Sequence, residues 1–129
     1  MGNKIIEVPM RVPMEEERLQ DLLCCAFEGG SNSWYIINSF NYAEGHNKDS
    51  LGIEFEHIEL PFHEGCSVTV GNSENTEAKV LDLEAIKSGV QAMAEHYPNH
   101  FADWAGENED SVTGDVFLQC CLYGELVFA

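Results

Sequence analysis

Two pairs of adjacent cysteines come nearest to a chemical motif in this chain. Cys24 and Cys25 lie in DLLCCAFEGGSNSWY, residues 21–35, and Cys120 and Cys121 lie close to the last residue of the sequence. A reactive thiolate needs a helix N-terminus or a neighbouring cation. The first pair instead has acidic neighbours and falls in the last turn of a predicted helix. We therefore expect the cysteines to pack in the core as small apolar side chains.

The histidines and glycines form no pattern that predicts catalysis or cofactor binding. His57, His63 and Cys66 lack the paired spacing of a zinc site. Gly29 and Gly30 follow a predicted helix, whereas a phosphate-binding loop precedes one. We predict no catalytic residue, no metal and no cofactor.

Acidic residues are the extreme feature of the composition. The chain has 23 Asp and Glu against 6 Lys and Arg, which gives a formal net charge of -17, and residues 88–129 contain no Lys or Arg. Such a field repels nucleic acid and anionic membranes, and it accelerates association with a basic partner. We therefore predict an acidic binding surface formed by Glu95, Asp103, Glu107, Glu109, Asp110 and Asp115.

Hydrophobic periodicity predicts the secondary structure. The alternation of Ile6, Val8, Met10 and Val12 predicts an edge strand, and the apolar stripe that follows predicts a helix over 14–28. Further strands are expected over 34–37, 53–55, 66–70, 78–81 and 126–128, and further helices over 83–97, 101–106 and 111–123. Residues 1–129 should form one α+β domain, with an antiparallel sheet of about four to five strands packed against about three main helices.

The chain shows no sign of membrane insertion or export. No apolar run reaches the roughly 18 residues that a membrane span requires. The first residues, MGNKIIEVPMRV, have neither an unbroken apolar region nor a cleavage site of small residues. We expect a cytoplasmic protein.

The segments DLLCCAFEGGSNSWY and LDLEAIKSGVQAMAEHYPNHFADWAGENEDSVTGDVFLQCCLYGELVF carry a resemblance to known sequences. Together they resemble a group of small, mostly uncharacterised proteins encoded by phages and prophages. The shared elements are a helix followed by Glu-Gly-Gly, Asn and Trp, and a Tyr-Pro-x-His-Phe to Asp-Val-Phe-Leu-Gln stretch. The resemblance implies a phage accessory protein. For such a protein, the cytoplasm predicted above would be that of the host cell.

The sequence favours one function and leaves two alternatives. The first is a non-enzymatic protein that inhibits or modulates a basic host protein, such as a nucleic-acid-binding or defence protein, by presenting carboxylates in place of phosphates. The second is a small-ligand-binding domain or small enzyme with a pocket around Ser31, Asn32, Trp34 and Tyr35. The third is a structural or replication component of a phage. Homo-oligomerisation is compatible with each of them.

Overall fold

The computed structural model describes residues 2–74 and 76–128, and it has the mixed α+β fold that the sequence predicts. Within these residues the sheet has three strands rather than four to five, and short helices raise the number of α-helices to five. The elements in chain order are α1 (Glu16–Cys25), a π-helical turn (Ala26–Gly30), β1 (Tyr35–Asn41), α2 (Glu56–Glu59), a 3₁₀ turn (Leu60–Phe62), β2 (Ser67–Asn72), β3 (Lys79–Leu81), α3 (Leu83–His96), α4 (Pro98–Ala105) and α5 (Ser111–Tyr123).

Helix α1 forms within the predicted range, but the chain widens into the π-helical turn at its end. Leu22 and Leu23 are fully buried, and the turn continues the buried face with Phe27. A Cβ atom on Gly30 would lie 1.8 Å from the carbonyl oxygen of Ser111. The missing side chain at Gly30 therefore lets the π-helical turn lie directly against the start of α5.

The sheet is antiparallel throughout, in the order β1-β2-β3. Val68, Val70 and Leu81 are fully buried, so one face of the sheet belongs to the core, and β3 contacts both α3 and α5. The strands predicted over 34–37, 66–70 and 78–81 are confirmed. The first of them continues past an irregularity between Ile37 and Ser39, into residues expected to form a loop.

Helix α5 lies at the centre of the fold, as its apolar character on nearly all sides predicts. Nine of its thirteen residues are buried, and it contacts α1, the π-helical turn, α3, α4 and β3. The side chain of Asp110 accepts a hydrogen bond from the backbone N–H of Thr113 and caps the helix. Gly124, at φ 76°, adopts the left-handed conformation that ends it.

The strand predicted from Ile6 to Val12 is wrong. Residues 2–15 contain no helix or strand, and the side chains of Ile6, Val8, Met10 and Val12 are 54–74% exposed. Alternation produces a strand only where a partner strand accepts the backbone hydrogen bonds, and Pro9 removes one donor from the middle of the segment. The segment lies beside the core without joining the sheet.

The strands predicted over 53–55 and 126–128 are also wrong. Ile53 is buried, but Phe55 is exposed and forms the cap that precedes α2. Val127 and Phe128 donate their backbone N–H groups to the side-chain oxygen of Gln119 instead of to a strand. A side chain of α5 thus takes the place of the partner strand.

Candidate functional site

The segment predicted to line a ligand pocket is built into the core instead. Ser31 and Trp34 are buried, and both donate hydrogen bonds of 2.7 Å to Oδ1 of Asp115. The Tyr35 hydroxyl donates to the backbone carbonyl of Phe27 at 2.9 Å. These polar groups have internal partners, which is the arrangement of a structural network.

Asn32 is the exception in that segment, because it is exposed. The indole ring of its neighbour Trp34 stacks on Phe128, with centroids 4.9 Å apart and planes 8° apart. Asn32 is therefore separated from the other three predicted pocket residues by its exposure.

Asp115, one of the six acids predicted to form the binding surface, points into the protein. Its Oδ2 atom accepts a hydrogen bond of 3.1 Å from Gln119, whose side chain is fully buried. The carboxylate therefore holds three donors from two separate parts of the chain. It stabilises the fold rather than offering a charge to a partner.

A different group of acids converges on a shallow depression between α1 and the loop that joins α4 to α5. We define the acidic depression by its lining residues Asp21, Cys24, Cys25, Glu28, Gly29, Glu107, Glu109 and Ser111, which enclose about 550 Å³. Four of these eight side chains are carboxylates, and none of the eight is a base. The acidic depression is therefore an anionic concave surface contributed by two segments that are distant in sequence.

The other five predicted acids occupy three kinds of position. Glu107 and Glu109 line the acidic depression, and Asp110 caps the adjoining helix α5. Glu95 and Asp103 are exposed but do not line it.

The sequence analysis missed Asp21 of α1 and Glu28 of the π-helical turn, which complete the acidic depression. Their spacing of seven residues, two helical turns, is a signal that could have grouped them with each other. Nothing local in the sequence pairs them with the loop around residue 107.

Arg18 holds the two walls of the depression together. Its guanidinium donates to Oε1 of Glu109 at 2.6 Å and to the backbone carbonyl of Trp104, and it lies 5.4 Å from the centroid of the Trp104 ring. The indole N–H of Trp104 donates back to the carbonyl of Arg18 at 3.2 Å. The hydrogen bond with Glu109 raises the pKa of Arg18 above its ordinary value, so the pair stays charged.

The loop places Glu107 in an uncommon backbone conformation. Glu107 has φ 61°, in the left-handed region that glycine usually occupies. Its N–H donates to the carbonyl of Trp104, and the N–H of Asn108 donates to that of Asp103, which together form a Schellman cap at the end of α4. The left-handed residue is therefore Glu107, although its neighbour Gly106 would adopt that conformation without strain.

Ion pairing leaves part of the acidic depression unneutralised. Glu109 pairs with Arg18, and Glu28 lies 2.9 Å from Nε2 of His57. Within residues 2–74 and 76–128, no base lies at ion-pair distance from Asp21 or Glu107. The Oε2 atom of Glu109 is buried and has no hydrogen-bond donor among the same residues.

The cysteines are core residues in three of five cases. Cys66, Cys120 and Cys121 are buried as predicted, whereas Cys24 and Cys25 are half-buried and line the acidic depression. Burial, followed by the charges of Glu28 and Asp21, raises the pKa of Cys24. Burial and the neighbouring Cys24 thiol, followed by nearby carboxylates, raise the pKa of Cys25. The thiols are therefore held in the protonated, less nucleophilic form.

Comparisons of the chain with protein-family models, with curated proteins and with solved structures found no match. In the described part of the chain, no three His, Cys, Asp or Glu side chains are grouped so that they could hold a metal ion. The helices of the same residues are too short or too polar to cross a membrane. The acidic depression is therefore the candidate functional site of the protein.

Proposed function

We propose that this protein acts without catalysis, by binding a basic partner protein at the acidic depression. The observation that carries the proposal is the convergence of four carboxylates on one concave surface, two of which have no base at ion-pair distance among the described residues. A lysine or arginine side chain of a partner could pair directly with Asp21 and Glu107, which interact with Arg18 only at longer range. Electrostatic complementarity of this kind accelerates association and selects for basic partners.

The backbone at Glu107 supports a binding role for the loop. A non-glycine residue in the left-handed region costs about 1 kcal/mol or more. Such conformations cluster at ligand-binding sites and switch regions. Glycine at this position would relieve the cost but would remove the carboxylate. A need for negative charge at this position would explain why the residue is glutamate and not glycine.

The partner class that fits this surface is a protein that binds nucleic acid. Such a protein presents Lys and Arg side chains in positions that meet phosphates. Carboxylates occupying the same positions would compete with nucleic acid for the basic surface. The net charge of -17 would add long-range attraction to the local contact.

The resemblance to phage and prophage proteins suggests where this activity belongs. A phage accessory protein that occupies a basic host protein, including a host defence protein, would act in the cytoplasm of the host. Its effect would be to inhibit or modulate the host protein by excluding nucleic acid.

The experiment compares two variants that carry the same net charge. Asp21→Lys/Glu107→Lys reverses the two unpaired charges of the acidic depression, and Glu44→Lys/Glu74→Lys reverses two exposed acids that do not line it. Glu109 is left intact because its pair with Arg18 holds the fold. Proteins captured from a host lysate are identified, purified and tested for binding to each variant and for competition by duplex DNA.

The expected result is a captured nucleic-acid-binding protein whose association rate falls about tenfold or more with the first variant and much less with the control. Binding should weaken steeply between about 0.05 and 0.5 M salt, because the Debye length falls to a few ångströms over that range. Equal loss with both variants would indicate non-specific attraction by net charge. Binding that is insensitive to salt and to both variants would contradict the proposal.

A further inference from the structure

Residues 2–12, which we call the leading segment, leave an unusual amount of apolar surface uncovered. Ile5, Ile6, Val8, Met10 and Val12 are 87%, 73%, 69%, 74% and 54% exposed. Isolated exposed apolar side chains are common in proteins, but a run of five aliphatic residues within eight positions is a patch. The exposed patch indicates that another surface covers the leading segment.

An apolar groove of about 410 Å³ begins where the leading segment ends. Leu83, Ile86 and Val90 of α3 line it, together with Leu19 of α1. Met10 and Val12 of the leading segment contribute to its wall, although both remain more than half exposed. The groove and the leading segment are therefore continuous parts of one apolar surface.

The alternation in the leading segment extends this surface beyond the groove of its own chain. Ile6 and Val8 have the same parity as Met10 and Val12, so in an extended chain they face the same side. Ile6 and Val8 do not line the groove of their own chain, whereas Met10 and Val12 do. The exposed side chains of Ile6 and Val8 are therefore available to a second chain.

The charge of the leading segment favours a second copy of this protein as the occupant. Lys4 and Arg11 against Glu7 give residues 2–12 a formal charge of +1, which leaves -18 for the rest of the chain. The leading segment is thus a part of the molecule that a strongly anionic copy does not repel. Glu16 lines the groove, and Lys87 at its rim is paired with Glu84 at 3.6 Å, so the groove does not repel a segment that carries a net positive charge.

The apolar area is sufficient for a weak dimer. Ile6, Val8, Met10 and Val12, which share one face of the leading segment, carry roughly 400 Å² of apolar surface. A two-fold exchange of leading segments would therefore bury about 800 Å² from the two segments, and the groove surface that they cover brings the total above about 1,000 Å², the lower limit for a specific interface. A symmetric contact of this kind closes on itself and gives a dimer rather than a fibre.

We propose that the protein forms a two-fold dimer in which the leading segment of each copy packs along the apolar groove of the other. The contact uses Ile6 and Val8 of one copy and the α3 wall of the groove, including Leu83, of its partner. It lies on residues other than those of the acidic depression, so it is independent of the function proposed above.

The test measures self-association of the full chain by sedimentation velocity, with reductant present, from about 5 to 200 µM. Ile6→Ser/Val8→Ser removes apolar side chains from the leading segment, and Leu83→Ser alters the opposite wall at an exposed position. Val112→Ser/Val127→Ser is the control, because both residues are exposed to a similar degree but do not line the groove. The first two variants should raise the dimer dissociation constant about tenfold or more, and the control should leave it nearly unchanged.

Salt separates this inference from the proposed function. Dimerisation should strengthen between about 0.05 and 0.5 M salt, since the repulsion between two copies of charge -17 is screened while apolar contact persists. Binding of the basic partner should weaken over the same range. Asp21→Lys/Glu107→Lys reduces the net negative charge, so it should weaken binding of the basic partner without weakening dimerisation.

Mixed samples of isotope-labelled and unlabelled protein show whether the groove binds the leading segment of its own chain or that of a second copy. Nuclear Overhauser contacts from the methyl groups of Ile6 and Val8 to Leu83 of the unlabelled copy would support the dimer. A wild-type monomer at every concentration and salt would overturn it, as would dimerisation unaffected by Ile6→Ser/Val8→Ser. Intramolecular contacts between the same methyl groups would show that the segment folds back on its own chain, which would also overturn it.

Discussion

The indole N–H of Trp34 donates a hydrogen bond of 2.7 Å to Oδ1 of Asp115, a residue 81 positions later in the chain. The same oxygen accepts from Ser31 at 2.7 Å, and the other carboxylate oxygen accepts from Gln119 at 3.1 Å. Gln119 in turn holds the backbone of Val127 and Phe128. One carboxylate therefore links the start of β1, helix α5 and the segment that follows α5.

Removing this carboxylate should destabilise the fold without affecting a binding surface. Asp115→Ala leaves three donors without their acceptor, two of them on the fully buried side chains of Ser31 and Gln119. We expect the free energy of unfolding to fall by about 3 kcal/mol, since an unsatisfied buried partner of a charged group costs up to that amount. Urea denaturation followed by tryptophan fluorescence measures the change.

The matched control is Asp103→Ala, which removes one negative charge from an exposed position. Its effect should lie within about 0.5 kcal/mol of zero. A loss of similar size in both variants would contradict the structural role of Asp115.

The close approach of the π-helical turn to α5 makes a second prediction. In Gly30→Ala the new Cβ would lie 1.8 Å from the carbonyl oxygen of Ser111 and 3.0 Å from Cβ of Asp115, so the backbone must move. Overpacking of this kind costs about 3 kcal/mol. Gly29→Ala is the control, because its Cβ would meet Cβ of Ser111 at 3.3 Å, which requires only a small adjustment. Thermal unfolding of the two variants should differ by several degrees, and equal melting temperatures would show that the contact yields easily.

The left-handed conformation of Glu107 predicts opposite effects on stability and on binding. Glu107→Gly relieves the backbone strain and removes the charge, whereas Glu107→Gln removes only the charge. The glycine variant should be more stable than the glutamine variant by about 1 kcal/mol, although glycine also gains entropy in the unfolded chain. Both should bind a basic partner more weakly than the wild type. A glycine variant that is less stable would show that the loop changes conformation.

The elements that the sequence predicted well are those with local signals. Asp82 and Asp110 each cap a helix through a backbone N–H three residues later, so α3 and α5 could be located from short stretches of sequence. The leading segment misled the prediction, because alternation specifies a face but not the partner strand that must cover it.

The acidic depression could not be predicted from the same information. Arg18 and Glu109 are 91 residues apart, so no local pattern in the sequence predicts their ion pair. The large number of acidic residues predicted an acidic surface. It could not distinguish Asp115, whose carboxylate accepts hydrogen bonds from buried side chains, from Glu107, which is exposed.

The thiols in the acidic depression should respond to its charges. Burial raises the pKa of Cys24, and the carboxylates of Glu28 and Asp21 raise it further. Asp21→Asn/Glu28→Gln should therefore lower that pKa and increase the rate of alkylation at neutral pH, as measured by mass spectrometry of each cysteine. Cys120, whose pKa burial raises to about 11, should react only after unfolding in both proteins. An unchanged rate at Cys24, relative to a Glu44→Gln/Glu74→Gln control, would indicate that burial alone sets its reactivity.

The cap of α5 should contribute stability that depends on pH. The hydrogen bond from the backbone N–H of Thr113 lowers the pKa of Asp110 below its ordinary value of 3.8. A carboxyl whose pKa is lower in the folded state stabilises the protein above the unfolded value, and this stabilisation is lost as pH falls through the folded value. Asp110→Asn keeps a capping side chain but cannot ionise. The wild type should therefore be the more stable of the two at pH 7, and the difference should disappear as pH falls below 3.8.

The control is Asp103→Asn, which removes an exposed charge that does not cap a helix. Its effect on the free energy of unfolding measures the relief of general charge repulsion and is subtracted from the effect of Asp110→Asn. A corrected difference that stays constant from pH 7 to below 3.8 would show that the charge of Asp110 does not stabilise the helix.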